Sequence, residues 1–200
     1  HSFPTRRSSD LILKMTYSFS TRTLLYGFLI AAYPLAQFFG APILGSLADQ
    51  KGRKKLLLLS LVGTVGGYAI FIIGILTSNL YLLFLGRIVD GFTGGNISIA
   101  QSAIADVSTP ETKSRNFGLI GMAFGLGFII GPYIGGKLSD SLIVSWFTYA
   151  TPFYLTILLA IINVVLVALN FPETLVIKRA VKVNLFTGFT NIKKAFTLKI

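Results

Sequence analysis

The sequence predicts an all-α polytopic membrane protein, and three observations lead to that class. Hydrophobic residues make up 53% of the 200 residues, and the mean hydropathy of the chain is +0.73. The apolar residues are gathered into five runs, each long enough as a helix to cross a hydrocarbon core of about 30 Å. The charged residues lie mostly in the gaps between these runs, which is typical of helices surrounded by lipid.

Five transmembrane helices are predicted from the runs, and they form one bundle within residues 12–171. Their approximate bounds are 24–47, 56–77, 80–105, 117–139 and 147–171. Residues 12–23 are mixed and polar, which suits a loop outside the membrane. Pro172 ends the last run because proline cannot donate the backbone hydrogen bond that continues a helix.

The two ends of the chain differ in composition from the bundle. Residues 1–11 are identical to the translated end of a widely used sequencing adapter, so we interpret them as an artefact without functional meaning. Residues 172–200 are basic, and we expect them to begin a cytoplasmic central loop. Within that segment an amphipathic pattern indicates a helix lying on the membrane surface, with an apolar face of Phe186, Phe189, Ile192 and Phe196.

The distribution of Lys and Arg predicts the orientation of the bundle. On one side of the membrane 12 cations lie in segments 51–55, 113–115 and 178–199. On the other side, apart from the leader, lie only Lys14, Arg22 and Lys137. Because cytoplasmic loops carry the excess of positive charge, we expect the start of the bundle outside and its end in the cytoplasm.

Several functional classes are excluded by composition. The chain has no cysteine and one histidine, His1, so a thiolate metal site and histidine-based chemistry are not expected. No nucleophile–base set is visible, which disfavours a membrane enzyme. The net charge of +11 follows the positive-inside pattern, and no basic stripe with aromatic residues indicates nucleic acid. We therefore predict no catalytic residues, no metal and no cofactor.

A short basic turn joins the first two predicted helices and carries the first motif. The sequence there is Gly-Ser-Leu-Ala-Asp-Gln-Lys-Gly-Arg-Lys-Lys over residues 45–55. It resembles the loop between helices two and three of the major facilitator superfamily, Gly-x-Leu-Ala-Asp-Arg-x-Gly-Arg-Lys. The matching positions include Gly45, Asp49, Gly52, Arg53 and Lys54; the first arginine of the family is Gln50 here.

The third predicted helix places a polar and small stripe on one face at about 100° per residue: Arg87, Asp90, Gly91, Gly94, Ser98 and Gln101. A charge in hydrocarbon costs roughly 2.5–3.5 kcal/mol or more, so Arg87 and Asp90 are expected to face protein or a watery cavity. They either neutralise each other at this i, i+3 spacing or serve substrate and protons. The segment resembles the second motif of the superfamily, Leu-x-x-x-Arg-x-x-Gln-Gly, whose arginine is implicated in proton coupling; Asp90 replaces the glutamine.

The fourth predicted helix is rich in glycine and contains Pro132, which can kink it. Glycines four residues apart let another helix approach closely. As Gly127-x-x-x-Gly131-Pro132-x-x-Gly135-Gly136, the segment matches the antiporter motif of drug:proton exporters, where the helix packs against the other half of the protein.

The resemblance implies helices two to six of the N-terminal six-helix bundle of such a transporter, closest to bacterial tetracycline-type exporters. Asp106 then corresponds to an acid that pairs with Arg53, and Asp49 faces a helix of the second half. The implied activity is proton-coupled drug efflux by alternating access in a bacterial inner membrane. The implied partners are an amphiphilic drug, protons, lipid and the C-terminal bundle. A sugar or metabolite transporter of the same superfamily and a non-transporting receptor or scaffold are the alternatives.

Overall fold

The computed structural model describes residues 18–175, which contain six α-helices. They are α1 (Phe19–Lys51), α2 (Arg53–Leu76), α3 (Leu80–Gly94), α4 (Ile97–Asp106), α5 (Pro110–Leu138) and α6 (Thr151–Asn170). Of these, α1, α2, α5 and α6 are each long and apolar enough to cross a membrane. The interpreted adapter segment 1–11 and the predicted surface helix after 175 lie outside the described residues.

The helix predicted over 80–105 is two helices in the structure, α3 and α4. At the junction the Gly95 and Asn96 amides donate to the carbonyls of Phe92 and Thr93, at 3.2 Å and 3.0 Å. These bonds span three residues rather than four, so the backbone tightens locally into a 3₁₀-like turn. Gly95 also lies against α1, where an added Cβ would be 2.5 Å from the Ala41 nitrogen. The break therefore sits at a point where the two backbones are in direct contact.

Side-chain caps set helix boundaries that hydropathy alone misplaces. The predicted start near 117 becomes Pro110, because Thr109 and Thr112 form a reciprocal capping box and proline occupies the first turn. In contrast, α3 begins at residue 80 as predicted, where the Asn79 side chain accepts from the Tyr81 amide at 3.0 Å. The helices thus begin at polar residues outside the apolar runs.

Glycines hold α3 tightly between α1 and α2. A Cβ on Gly67 of α2 would lie 2.7 Å from the Asp90 nitrogen, and one on Gly86 of α3 would lie 2.8 Å from the Phe71 nitrogen. On the α1 side, Gly40 and Gly91 have no room for a Cβ either. The backbones of α1, α2 and α3 therefore touch directly, as small residues permit in membranes.

The apolar core lies mainly within α1–α4. One buried cluster, toward the predicted cytoplasmic end, contains Leu44, Ala48, Leu56, Leu57, Leu61 and Ile99. A second, toward the other end, contains Leu29, Phe71 and Leu83. Helix α6 packs on α2, with the Phe153 ring 4.9 Å from the Phe71 ring. In contrast, α5 has no buried residue, so most of its surface is exposed.

Candidate functional site

The turn between α1 and α2 consists of one residue, Gly52, with φ 109° and ψ 144°. That backbone conformation is essentially restricted to glycine. It lets α2 begin at Arg53 directly after α1 ends at Lys51. The two motif charges Asp49 and Arg53 are thereby held one turn apart on the two sides of the glycine.

Arg53 is the centre of a cluster of charges at this end of the bundle, which we name the Arg53 cluster (Asp49, Arg53, Asp106 and Glu173). The side chain of Arg53 is buried, although the residue is charged. Its guanidinium forms an ion pair with Asp49 at 2.5 Å and donates through Nε to Asp106 Oδ2 at 3.1 Å. One cation thus joins the end of α1 to the end of α4. This contact is the pairing of Asp106 with Arg53 that the resemblance to the family implied.

Glu173, which follows α6, caps the start of α2. Its carboxylate accepts from the backbone amides of Arg53 at 2.8 Å and Lys54 at 3.3 Å. The neighbouring Thr174 hydroxyl donates to Asp106 Oδ2 at 3.3 Å. An added Cβ on Gly52 would collide with the Glu173 carboxylate. The segment after α6 is therefore tied to the turn between α1 and α2.

The electrostatics of Glu173 favour its ionised form. Partial burial acts to raise its pKa, but the backbone amides of Leu175, Arg53, Lys54 and Thr174 together lower the pKa below the ordinary value of 4.5. A carboxylate at a helix N-terminus also meets the positive end of the helix dipole. No motif in the sequence points to a role for Glu173. The available signal was that it is the single acid of the basic segment 172–200.

Toward the other end of the bundle, Arg87 lines a cavity of about 270 Å³, which we name the Arg87 cavity. Residues of α1, α2, α5 and α6 also line it, among them Tyr26, Phe71, Gly135 and Phe153. The Arg87 guanidinium carbon lies 4.5 Å from the centre of the Phe71 ring, a cation–π distance. Its Nε atom is buried without a hydrogen-bond partner.

Asp90 lies one turn beyond Arg87 and is only 3% exposed. Its Oδ2 atom is buried and has no hydrogen-bond partner. The Tyr68 hydroxyl of α2 interacts with the carboxyl group. Within residues 18–175 the ion pairs involve Arg53 and its acids, so Arg87 and Asp90 form no ion pair within 4 Å, although the Arg87 charge still acts on the Asp90 carboxyl. Of the two alternatives considered from the sequence, mutual neutralisation would therefore act through this longer-range attraction rather than through a close ion pair.

The remaining predicted stripe residues divide between packing and exposure. A Cβ on Gly94 would lie 2.6 Å from the Tyr33 hydroxyl, and Gln37 of α1 donates to the Gly94 carbonyl at 3.0 Å. Ser98 donates to the Ala41 carbonyl at 2.9 Å and also contacts Gly45. Like Gly91, these residues form the interface with α1, whereas Gln101 is exposed. The stripe is thus interrupted by α1 and does not form one continuous groove.

The predicted antiporter motif lies entirely on α5, which continues as one helix through Pro132. An added Cβ on Gly127, Gly131, Gly135 or Gly136 would meet nothing within 4 Å. We name the surface formed by these four glycines the α5 glycine face. Gly127 also borders an apolar groove of about 680 Å³ between α4 and α5, next to Ile104 and Phe124. The glycines therefore have space beside them that the described residues do not fill.

Comparisons with known proteins identify the family and the fold of the chain. The family model "Major Facilitator Superfamily" matches residues 9–189. The class B tetracycline resistance protein of Escherichia coli is 38% identical over 149 residues, 74% of this chain and 35% of the relative. The class H tetracycline resistance protein of Pasteurella multocida is 43% identical over 115 residues, 58% of this chain and 28% of the relative.

A second group of relatives is animal. Major facilitator superfamily domain-containing protein 10 of Mus musculus is 36% identical over 155 residues, 76% of this chain and 31% of the relative. The crystal structure of the human organic anion transporter MFSD10 matches with a TM-score of 0.65 at 28% identity, covering 88% of this chain and 39% of that one. The chain thus spans about a third of the length of these relatives. The predicted fold class is confirmed, and the chain belongs to the Major Facilitator Superfamily.

Proposed function

We propose that this chain forms five spans of one bundle of a proton-coupled drug exporter in a bacterial inner membrane, working by alternating access. The observation that carries the proposal is the Arg53 cluster, considered together with the similarity to tetracycline resistance proteins. The proposal concerns a transporter of the relatives' length, about a third of which this chain matches.

The Arg53 cluster has the geometry of a closure at one end of a bundle. It joins α1, α2, α4 and the segment after α6 through charged contacts at 2.5–3.3 Å. A transporter that alternates between two packings needs such contacts on one side, which form in one state and separate in the other. With the end of the bundle in the cytoplasm, the cluster closes the cytoplasmic side. Tetracycline is the first drug to test.

The α5 glycine face supports a second bundle as the partner that packs on α5. Its four glycines are open, and α5 has no buried residue among those described. Glycines at four-residue spacing allow two helices to come into backbone contact. We infer that a helix of the other bundle packs here and slides against α5 as the cavity opens and closes.

The test uses the full-length reading frame, expressed in a drug-sensitive bacterium. We expect the wild type to lower intracellular tetracycline and to lose this effect when a protonophore collapses the proton gradient. Arg87→Ala and Asp49→Ala should abolish efflux while membrane insertion, measured by fluorescence of a C-terminal fusion, stays unchanged. Normal resistance in both variants would contradict the assigned roles, and Asp140→Asn in the α5–α6 loop is the matched control.

Export of organic anions is a second candidate. Two observations favour it: the cationic Arg87 lines a cavity and has no ion pair among the described residues, and the chain is similar to an organic anion transporter. A panel of anionic and cationic dyes in the same efflux assay separates the candidates. Export restricted to anions, with no tetracycline resistance, would favour this one.

A further inference from the structure

We propose that the loop joining α5 to α6, residues 139–150, is an anchor in the membrane interface, with Leu142, Ile143 and Trp146 inserted among the lipid headgroups. The inference goes beyond the proposed function, because it requires only that α5 and α6 cross a membrane. It rests on the exposed apolar side chains of the loop, on its internal hydrogen bonds and on its level relative to the two helices. The partner is the lipid surface at the end of the bundle opposite the Arg53 cluster.

Large apolar side chains are concentrated on the outside of the loop. Leu142 is 84% exposed and Trp146 is 69% exposed, while Ile143 and Tyr149 are about half exposed. The Trp146 ring packs edge-on against the Phe147 ring, with 4.7 Å between the ring centres, so its position is supported from within the loop. Such a group of exposed apolar side chains is unfavourable in water and marks a surface that meets a membrane or a protein.

The lengths of the neighbouring helices place the loop at the edge of the hydrocarbon core. One end of each helix lies near the Arg53 cluster, because α5 follows Asp106 and α6 precedes Glu173. Helix α6 has 20 residues, so it is about 30 Å long, which equals the thickness of the hydrocarbon core. Its other end, Thr151, therefore lies at the opposite edge of the core. The loop starts from that edge, in the layer of about 5–8 Å that the headgroups occupy.

The residue types at this level are those enriched where membranes meet water. Trp146 and Tyr149 lie in the loop, and Tyr133 and Lys137 lie on the last turns of α5. The Lys137 ammonium is 6.0 Å from the centre of the Tyr133 ring, a cation–π distance. Tryptophan and tyrosine are favoured at the interface because an apolar ring carries one polar group, and lysines near helix ends reach the headgroups. The loop and the end of α5 thus form one interfacial surface.

Hydrogen bonds within the loop lower the cost of moving its backbone out of water. The Leu142 amide donates to Asp140 Oδ1 at 2.9 Å, and the Ile143 amide donates to the Asp140 carbonyl at 3.1 Å. Farther along, the Phe147 amide donates to the Val144 carbonyl at 2.9 Å. These tight turns hold the loop close to the helix ends, so its apolar side chains stay at the level of the interface.

Lipid is the occupant that fits, because the apolar surface continues from the loop onto α6. Exposed Tyr154, Leu158 and Leu169 carry it along that helix toward the Arg53 cluster. Helix α6 is also one of the helices long and apolar enough to cross a membrane. A surface that begins in the loop and continues along a membrane-spanning helix meets the same bilayer throughout.

The experiment measures the depth of Trp146 in the full-length protein in phosphatidylcholine nanodiscs, which leave both membrane faces accessible. Subtracting the emission of Trp146→Phe from that of the wild type isolates the signal of this tryptophan. We expect blue-shifted emission that is quenched by lipid with a nitroxide on the headgroup and resists aqueous iodide. Strong iodide quenching without lipid quenching would overturn the anchor, because the loop would then lie in water. Resistance to both quenchers would also overturn it, because a protein surface would then cover the loop.

Two further variants test whether the apolar side chains hold the loop in place, each measured against its own Trp146→Phe counterpart. Leu142→Asp combined with Ile143→Asp removes apolar surface, so the Trp146 emission should shift to the red and iodide quenching should rise to that of free tryptophan amide. Ser141→Asp is the matched control, since it adds a charge to the same turn and removes no apolar side chain; its Trp146 signal should stay as in the wild type. An unchanged signal in the double variant would overturn anchoring by these side chains.

Discussion

Glu173→Ala offers the most direct test of how the chain after α6 is attached to the bundle. The substitution removes the carboxylate that accepts from the Arg53 and Lys54 amides at 2.8 Å and 3.3 Å. The net contribution of one hydrogen bond to stability is about 1 kcal/mol. One of these bonds is long and the carboxylate is largely solvated, so we expect a loss of about 1 kcal/mol for local opening of the first turn of α2.

Hydrogen exchange measures this opening. A loss of about 1 kcal/mol corresponds to roughly fivefold faster exchange of the amides in the first turn of α2, because about 1.4 kcal/mol is a factor of ten. The experiment compares peptides covering residues 52–57 in the full-length wild type and in Glu173→Ala by mass spectrometry. Glu111→Gln is the control, since Glu111 lies in the first turn of α5. Equal exchange in wild type and Glu173→Ala would refute the capping role.

Three further predictions concern the same bundle. The amides in the first turn of α2 should stay protected from exchange at neutral pH and lose protection as pH falls below about 4.5. The reason is that the pKa of Glu173 is lowered on folding, so its stabilisation is lost when the carboxylate is protonated. A pH series of the exchange measurement checks this, and a loss already at neutral pH would contradict it. Gly52→Ala should lower the free energy of unfolding by roughly 1 kcal/mol or more, because alanine disfavours a φ of 109° and its Cβ would collide with Glu173. An unchanged melting temperature in detergent would count against the turn geometry. Gly67→Leu should prevent stable folding, because the backbone of α3 occupies the space that the leucine needs. Gly131→Leu should leave the melting temperature of the isolated bundle unchanged but stop transport by the full-length protein. Size-exclusion profiles and efflux assays distinguish the two variants, and a stably folded Gly67→Leu would refute the packing of α2 on α3.

The all-α class and the family could be predicted from the sequence because apolar length and local motifs are encoded in consecutive residues. The positions of the helix ends were harder to predict from the sequence. The capping box of Thr109 and Thr112 moves the start of α5 to Pro110, in a polar segment that hydropathy assigns to a loop. The break at Gly95 and Asn96 lies inside an apolar run, at a point of close contact with α1, so hydropathy alone does not reveal it.

The site was predicted in part, and the missing features depend on tertiary contacts. Arg53 and Asp106 could be related through a motif, although 53 residues separate them. The contact of Glu173 with Arg53 spans 120 residues, and no periodic pattern connects them. Helical spacing placed Arg87 beside Asp90, but it could not reveal that the Phe71 ring of α2 offers the guanidinium another partner.

The single glycine between α1 and α2 has a mechanical consequence. Because the linker is one residue long, α1 and α2 cannot move far from each other at this end, and a tilt of α1 is expected to displace the start of α2. The stretch between α5 and α6, residues 139–150, is long enough to absorb a comparable displacement. The α1–α2 connection therefore couples its two helices tightly, whereas the α5–α6 connection leaves its two helices freer to move relative to each other.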